Sequence, residues 1–112
     1  MGSMHLAMGQ APVVLGDIEK NLEIMEGLIC EAQRDGEQDI DLIAFPELFI
    51  TGYNLRDNYN DVAEKIPGKG KAQTGMCRLA KTYNIHIVTG IVEKAGKSLF
   101  NSAILIGPNG YI

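Results

Sequence analysis

The feature that most constrains the fold is a repeated change of apolar period along the chain. Between residues 17 and 34, Ile18, Leu22, Met25, Ile29 and Ala32 recur at steps of four, three, four and three. That spacing puts them on one stripe of an amphipathic helix. Asp17 stands where its carboxylate can accept from the free amides of the first turn. Within residues 41–45 the pattern becomes the unbroken run Leu42-Ile43-Ala44-Phe45, the signature of a strand covered on both faces, and Pro46 stops it. Helical spacing returns with Ala72, Met76, Leu79, Ala80 and Tyr83, which predicts a second helix over 71–83 despite Gly75 inside it. The β-branched runs Ile85 to Val92 and Leu99 to Ile106 flank Ala95-Gly96-Lys97 and predict a hairpin. His5 to Gln10, ended by Ala11-Pro12, suits a first strand. Residues 48–69, with Gly52, Pro67, Gly68 and several Asn and Asp, are expected to form a long irregular loop. The order strand, helix, strand, loop, helix, strand, strand implies an α/β layer with helices against a mixed sheet.

With 112 residues and 46% hydrophobic content, the chain can build one modest core. A formal charge of −4 and a pI near 5.0 argue against a nucleic acid partner, which needs clustered Lys and Arg. No apolar run approaches the roughly 18 to 20 residues that span a bilayer, so no membrane partner is expected and a cytoplasmic location follows by default. Met1-Gly2-Ser3, ahead of a second methionine, reads as an expression leader, leaving residues 4–112 as the natural portion.

The segment Phe45-Pro46-Glu47-Leu48-Phe49 delivers a carboxylate at the carboxyl end of a buried strand, where open α/β sheets place their sites. Partial desolvation beside Phe45, Leu48 and Phe49 is expected to raise the pKa of Glu47 and suit it to act as a general base. The competing reading is a surface glutamate that merely follows a strand. Tyr53 is a candidate substrate contact, against the alternative that its ring packs and its hydroxyl bonds locally.

Other polar residues have plainer explanations. Gln10, Asn21 and Asn101 sit at element ends and are read as satisfying nearby backbone groups. Cys30 lies off the apolar stripe near Glu23 and Glu26, whereas Cys77 has the kinder neighbours Arg78 and Lys81; both are read as inert helical thiols. Gly68-Lys69-Gly70-Lys71 lacks the hydroxyl residue of a phosphate loop, since Ala72 follows. His5 and His86 lack a second ligand at metal spacing, so no metal site is expected.

Pro46-Glu47-Leu48-Phe49 with Thr51-Gly52-Tyr53 resembles the glutamate motif of the nitrilase superfamily of carbon–nitrogen hydrolases. Gly16-Asp17, Asn21, Ile87-Val88-Thr89-Gly90, Asn101-Ser102-Ala103 and Gly107-Pro108-Asn109-Gly110 match its surroundings in the same order, so the resemblance covers residues 4 to 112. It implies part of a four-layer α-β-β-α sandwich, a mixed sheet with two helices on one face, and no cofactor. It also implies a Glu–Lys–Cys triad, in which Glu47 matches the general base of thioester chemistry on a small-molecule amide, carbamoyl or nitrile. Gly52-Tyr53-Asn54 tilts the resemblance towards amides. The family's lysine and cysteine motifs find no match before Ile112. This chain is therefore expected to be an inactive amino-terminal portion that pairs with a carboxyl-terminal half or with itself, the alternative being a catalytically dead oligomerising or binding module of the same fold.

Overall fold

The computed structural model describes residues 2–35 and 39–112. Its elements are β1 (Leu6–Met8), α1 (Ile18–Asp35), β2 (Leu42–Ala44), a single 3₁₀ turn (Arg56–Asn58), α2 (Tyr59–Val62), α3 (Lys71–Tyr83), β3 (His86–Ala95) and β4 (Ser98–Ile106). The strands form one sheet in the order β1-β2-β3-β4. β1, β2 and β3 run parallel, and β4 returns antiparallel to β3. The sheet is therefore mixed, as the element order predicts.

The helix boundaries follow from local chemistry. Asp17 Oδ1 accepts from the Lys20 amide at 3.0 Å, which caps α1 as the sequence predicts. α3 ends where Asn84 takes a left-handed conformation, φ +51°. Gly75, costly inside a helix on propensity alone, lies where α3 meets α1: a Cβ there would lie 2.9 Å from Leu22 Cδ2. Its absence lets the two helices approach.

Met25 and Ile29 of α1 join Met76, Leu79 and Ala80 of α3 against Ile43, Ile87, Ile91, Ile104 and Ile106 of the sheet, all buried. Register explains the sidedness, because side chains alternate along a strand. Ile87 and Ile106 pair, as do Thr89 and Ile104, and they turn towards the helices. Val88 pairs with Leu105 and Gly90 with Ala103 on the other side. That side is also apolar, with Leu6, Met8 and Leu105 exposed by 63%, 89% and 51%.

The segment 48–69 is more ordered than its composition suggests. Besides its two short helical turns, Glu64 adds to the sheet margin, donating from its amide to Val92 O at 3.0 Å and accepting at its carbonyl from the Lys94 amide at 2.8 Å. The same residue's carboxylate accepts from the Ala72 and Gln73 amides at 2.6 and 3.1 Å and from Gln73 Nε2 at 3.0 Å, closing the start of α3. A lone glutamate followed by Lys65 carries no local sign of this double role.

Candidate active site

Glu47 stands at the end of β2 on a turn held from several sides. Phe45 still donates to Val88 O at 2.9 Å, but Pro46 has no amide hydrogen and the ladder stops. Pro46 O then accepts from the Phe49 amide at 3.2 Å and from the Gly90 amide of β3 at 3.3 Å. Leu48 takes φ +49°, so the chain folds back and Gly52 donates to Leu48 O at 2.7 Å. Leu48, Phe49, Ile50 and Thr51 are buried beneath the turn, while Glu47 is exposed.

Asn21 secures this turn from below. Fully buried on α1, it accepts from the Val14 amide at 2.7 Å and donates to Val14 O at 2.8 Å and Ile50 O at 2.9 Å. The structural role read for Asn21 from its position is what the fold shows. Asn101 differs. Its Nδ2 donates to Glu47 Oε1, not to backbone, because β4 carries it past the end of β2, opposite Val92 of β3.

Tyr53 lines the same cavity as Glu47, and hydrogen bonding by its hydroxyl is the largest influence on the carboxyl group. The two donors, Tyr53 more than Asn101, hold the Glu47 carboxyl below the usual glutamate range, outweighing a small opposing effect of burial. The expected rise is thus corrected: the apolar neighbours lie under the turn, and the carboxylate itself points into the open between two neutral donors. The reciprocal effect raises the Tyr53 phenol, chiefly through its hydrogen bond to Glu47. Two cavities share the Glu47–Asn101 pair. One, of about 380 Å³, is lined also by Leu48, Tyr53, Tyr59, Val92, Leu99 and Phe100. The other, of about 290 Å³, runs over Phe45, Val88, Gly90 and Ala103. Among the described residues, Glu47 is the one ionised side chain on either wall at neutral pH, and it can accept a proton there from a neutral reactant.

The cysteines lie elsewhere. Neither lines a cavity beside Glu47. Cys30 is exposed and donates to the Tyr83 hydroxyl at 3.4 Å, which in turn donates to Glu26 Oε2 at 2.7 Å. Cys77 contacts Gly110 O at 3.5 Å, and burial pushes its thiol up against the smaller opposite pull of Lys81. The favourable setting read from its neighbours is overruled by its depth. A larger cavity, about 630 Å³, lies at the starts of α1 and α3 among Asp17, Glu19, Asp61, Glu64 and Lys71, and shares no residue with the Glu47 cavities.

Comparison with known proteins identifies the fold and the family. A nitrilase of Pyrococcus abyssi is 42% identical over 96 residues, covering 84% of this chain and 35% of the relative. A probable nitrilase of Schizosaccharomyces pombe is 34% identical over 109 residues, covering 95% of this chain and 39% of the relative. The solved structure of Saccharomyces cerevisiae Nit3, a member of branch 10 of the nitrilase superfamily, superposes with a TM-score of 0.84 at 21% identity, covering 97% of this chain and 41% of that one. The chain thus has the nitrilase fold and spans about a third of the length of the curated relatives it matches. The family model for carbon–nitrogen hydrolases matches residues 5–112, and the chain belongs to that family.

Proposed function

We propose that this chain supplies the general base of a carbon–nitrogen hydrolase acting on a small amide, carbamoyl or nitrile group, with Glu47 as that base. The observation that carries the reading is the position of the Glu47 carboxylate, exposed at the end of β2 on a buried turn and shared by two cavities with neutral walls. Glu47 would take the proton of a cysteine thiol supplied from outside residues 5–112, as sulfur bonds to the substrate carbon. With an amide or carbamoyl group it would return that proton to the leaving nitrogen, which departs as ammonia, and then deprotonate the water that cleaves the thioester. A nitrile would first form a thioimidate, which takes up one water before it releases ammonia. Neither Cys30 nor Cys77 adjoins the carboxylate, so residues 1–112 alone are expected to release no ammonia.

The open apolar sheet face with Leu6, Met8 and Leu105 supports a second reading, an oligomerising module without turnover. A hybrid separates the two. Residues 5–112 would replace the matching segment of the Pyrococcus abyssi nitrilase, and ammonia release would be measured on amide, carbamoyl and nitrile panels. The base reading expects turnover that Glu47→Gln lowers by several orders of magnitude while the hybrid stays folded. Near-unchanged turnover in the Gln variant would sink it.

A further inference from the structure

Glu47 is exposed, and a free glutamate side chain in water samples many rotamers. Here the carboxylate is met by donors from two separate places. Asn101 reaches Oε1 from β4, 54 positions along the chain, and Tyr53, just past the 47–52 turn, faces the same cavity as Glu47 and Asn101 and offers its hydroxyl. Both donors have firm supports. Asn101 is fixed in register opposite Val92 in the longest ladder of the sheet. Tyr53 follows Gly52, whose amide is bound to Leu48 O and whose Cα region packs against Leu15.

We propose that Tyr53 and Asn101 are positioning residues for Glu47, a two-donor clamp that fixes the orientation of its carboxylate and leaves proton acceptance to the lone pairs they do not occupy. The inference rests on Glu47 as the base. A general base works only when its acceptor oxygen is already aimed at the proton it takes, because a misplacement of about 1 Å can cost on the order of a hundredfold in rate. Neutral donors achieve this without a competing cation, so the carboxylate is steered and not locked into an ion pair. They also favour its ionised form. The two donors respond differently once Glu47 takes a proton. A hydroxyl can rotate from donor to acceptor, whereas the amide NH₂ can only donate. Tyr53 can therefore follow the protonation cycle while Asn101 holds the carboxyl group in place.

The test reads Glu47 itself and needs no turnover. The 112-residue chain, labelled with ¹³C at the glutamate side-chain carboxyls, is titrated by NMR as wild type and as Tyr53→Phe, Asn101→Ala and the double variant, with Tyr111→Phe as an exposed control. The Glu47 midpoint is expected to rise in each single variant, more for Tyr53→Phe, and to rise furthest in the double, while the control leaves it in place. An intact amide spectrum with an unmoved Glu47 midpoint in both single variants would overturn the clamp. If Asn101→Ala disturbs the spectrum, Asn101→Ser is substituted, and the same rise is required of it. The enzymatic readout distinguishes this from failure of the base reading: a hybrid that keeps its turnover as Glu47→Gln removes the base yet leaves the titration shifts untouched. In an active hybrid, Tyr53→Phe is expected to lower kcat more than it changes KM and to move the acid limb of the pH profile upward.

Discussion

Gly90 of β3 lies directly against the backbone of Glu47: a Cβ at position 90 would fall 2.6 Å from Glu47 Cα and would also collide with the Leu48 amide nitrogen. Backbone, unlike a flexible side-chain tip, cannot move aside cheaply. Gly90→Ala is therefore expected to destabilise the chain by about 1–3 kcal/mol and to push the Glu47 turn away from the sheet. Gly27, exposed on α1 with nothing within 4 Å of where a methyl group would sit, gives the opposite expectation, since Gly27→Ala should stabilise by about 0.5–1 kcal/mol. Urea midpoints of the two variants, moving in opposite directions from wild type, check both at once.

The Glu64 carboxylate is the main acceptor at the start of α3, for Gly70 at the N-cap has no side chain to offer. Replacing it with Ala leaves the Ala72 and Gln73 amides and Gln73 Nε2 short of a partner in a buried setting. A loss of about 2 kcal/mol is expected, with Glu64→Gln recovering part of it. Hydrogen exchange confined to the first turn of α3 would locate the effect.

Two side chains give the pH dependence opposite signs. The Glu47 carboxyl is depressed by Tyr53 and Asn101, so its contribution to stability is complete above its ordinary value and is lost as pH falls through the lower native value. The Tyr83 phenol is pushed well above its usual value by its hydrogen bonds with Cys30 and Glu26. Its contribution is complete below about pH 10 and fades as pH climbs beyond that. Glu47→Gln should flatten the acid side of a stability–pH profile, and Tyr83→Phe the alkaline side. An alkaline limb unchanged by Tyr83→Phe would show that the Tyr83 contacts do not form in solution.

The uncovered sheet face sets the association behaviour of the isolated chain. Leu6, Met8 and Leu105 lie on it, and such a patch draws a partner sheet. Self-association at micromolar concentration is expected by sedimentation. Leu105→Lys should weaken it by about tenfold or more, since covering half a leucine side chain is worth about 1–1.5 kcal/mol. A monodisperse wild-type monomer that binds no hydrophobic dye would place this face differently.

What could be read from the residues alone follows the range of the forces involved. The stripe from Ile18 to Ala32, the run Leu42 to Phe45 and the 71–83 helix are local periodicities, and each appears in the fold within one or two residues. Gly96 at the hairpin turn, φ +62°, likewise declares itself in sequence. Asn101 does not. Its bond to Glu47 depends on the register of β4 on β3 and on how far β2 extends, neither of which is encoded near Asn101. The direction of the Glu47 shift is hidden for the same reason. Apolar neighbours in sequence lie beneath the turn, while the groups that set the charge come from Tyr53 and from a strand 54 positions away. The Glu64 cap is equally non-local, since Glu64 is held by Val92 and Lys94 and its carboxylate closes the start of α3.

The connectivity of the sheet also bears on the order of assembly. β3 and β4 are joined by two residues and share nine register pairs, whereas β2 must be brought to β3 across the intervening 41 residues, from 45 to 85. Closing a short loop costs far less chain entropy than closing a long one, so the hairpin is expected to be the earlier structure. Gly90 and Asn101 both belong to it. The receptor for the Glu47 turn would then exist before the turn arrives, and the carboxylate would be moulded onto a surface already in its final shape. Pulse-labelled amides of β3 and β4 should gain protection ahead of those of β1 and β2, which makes the Glu47 turn a late graft on an early template.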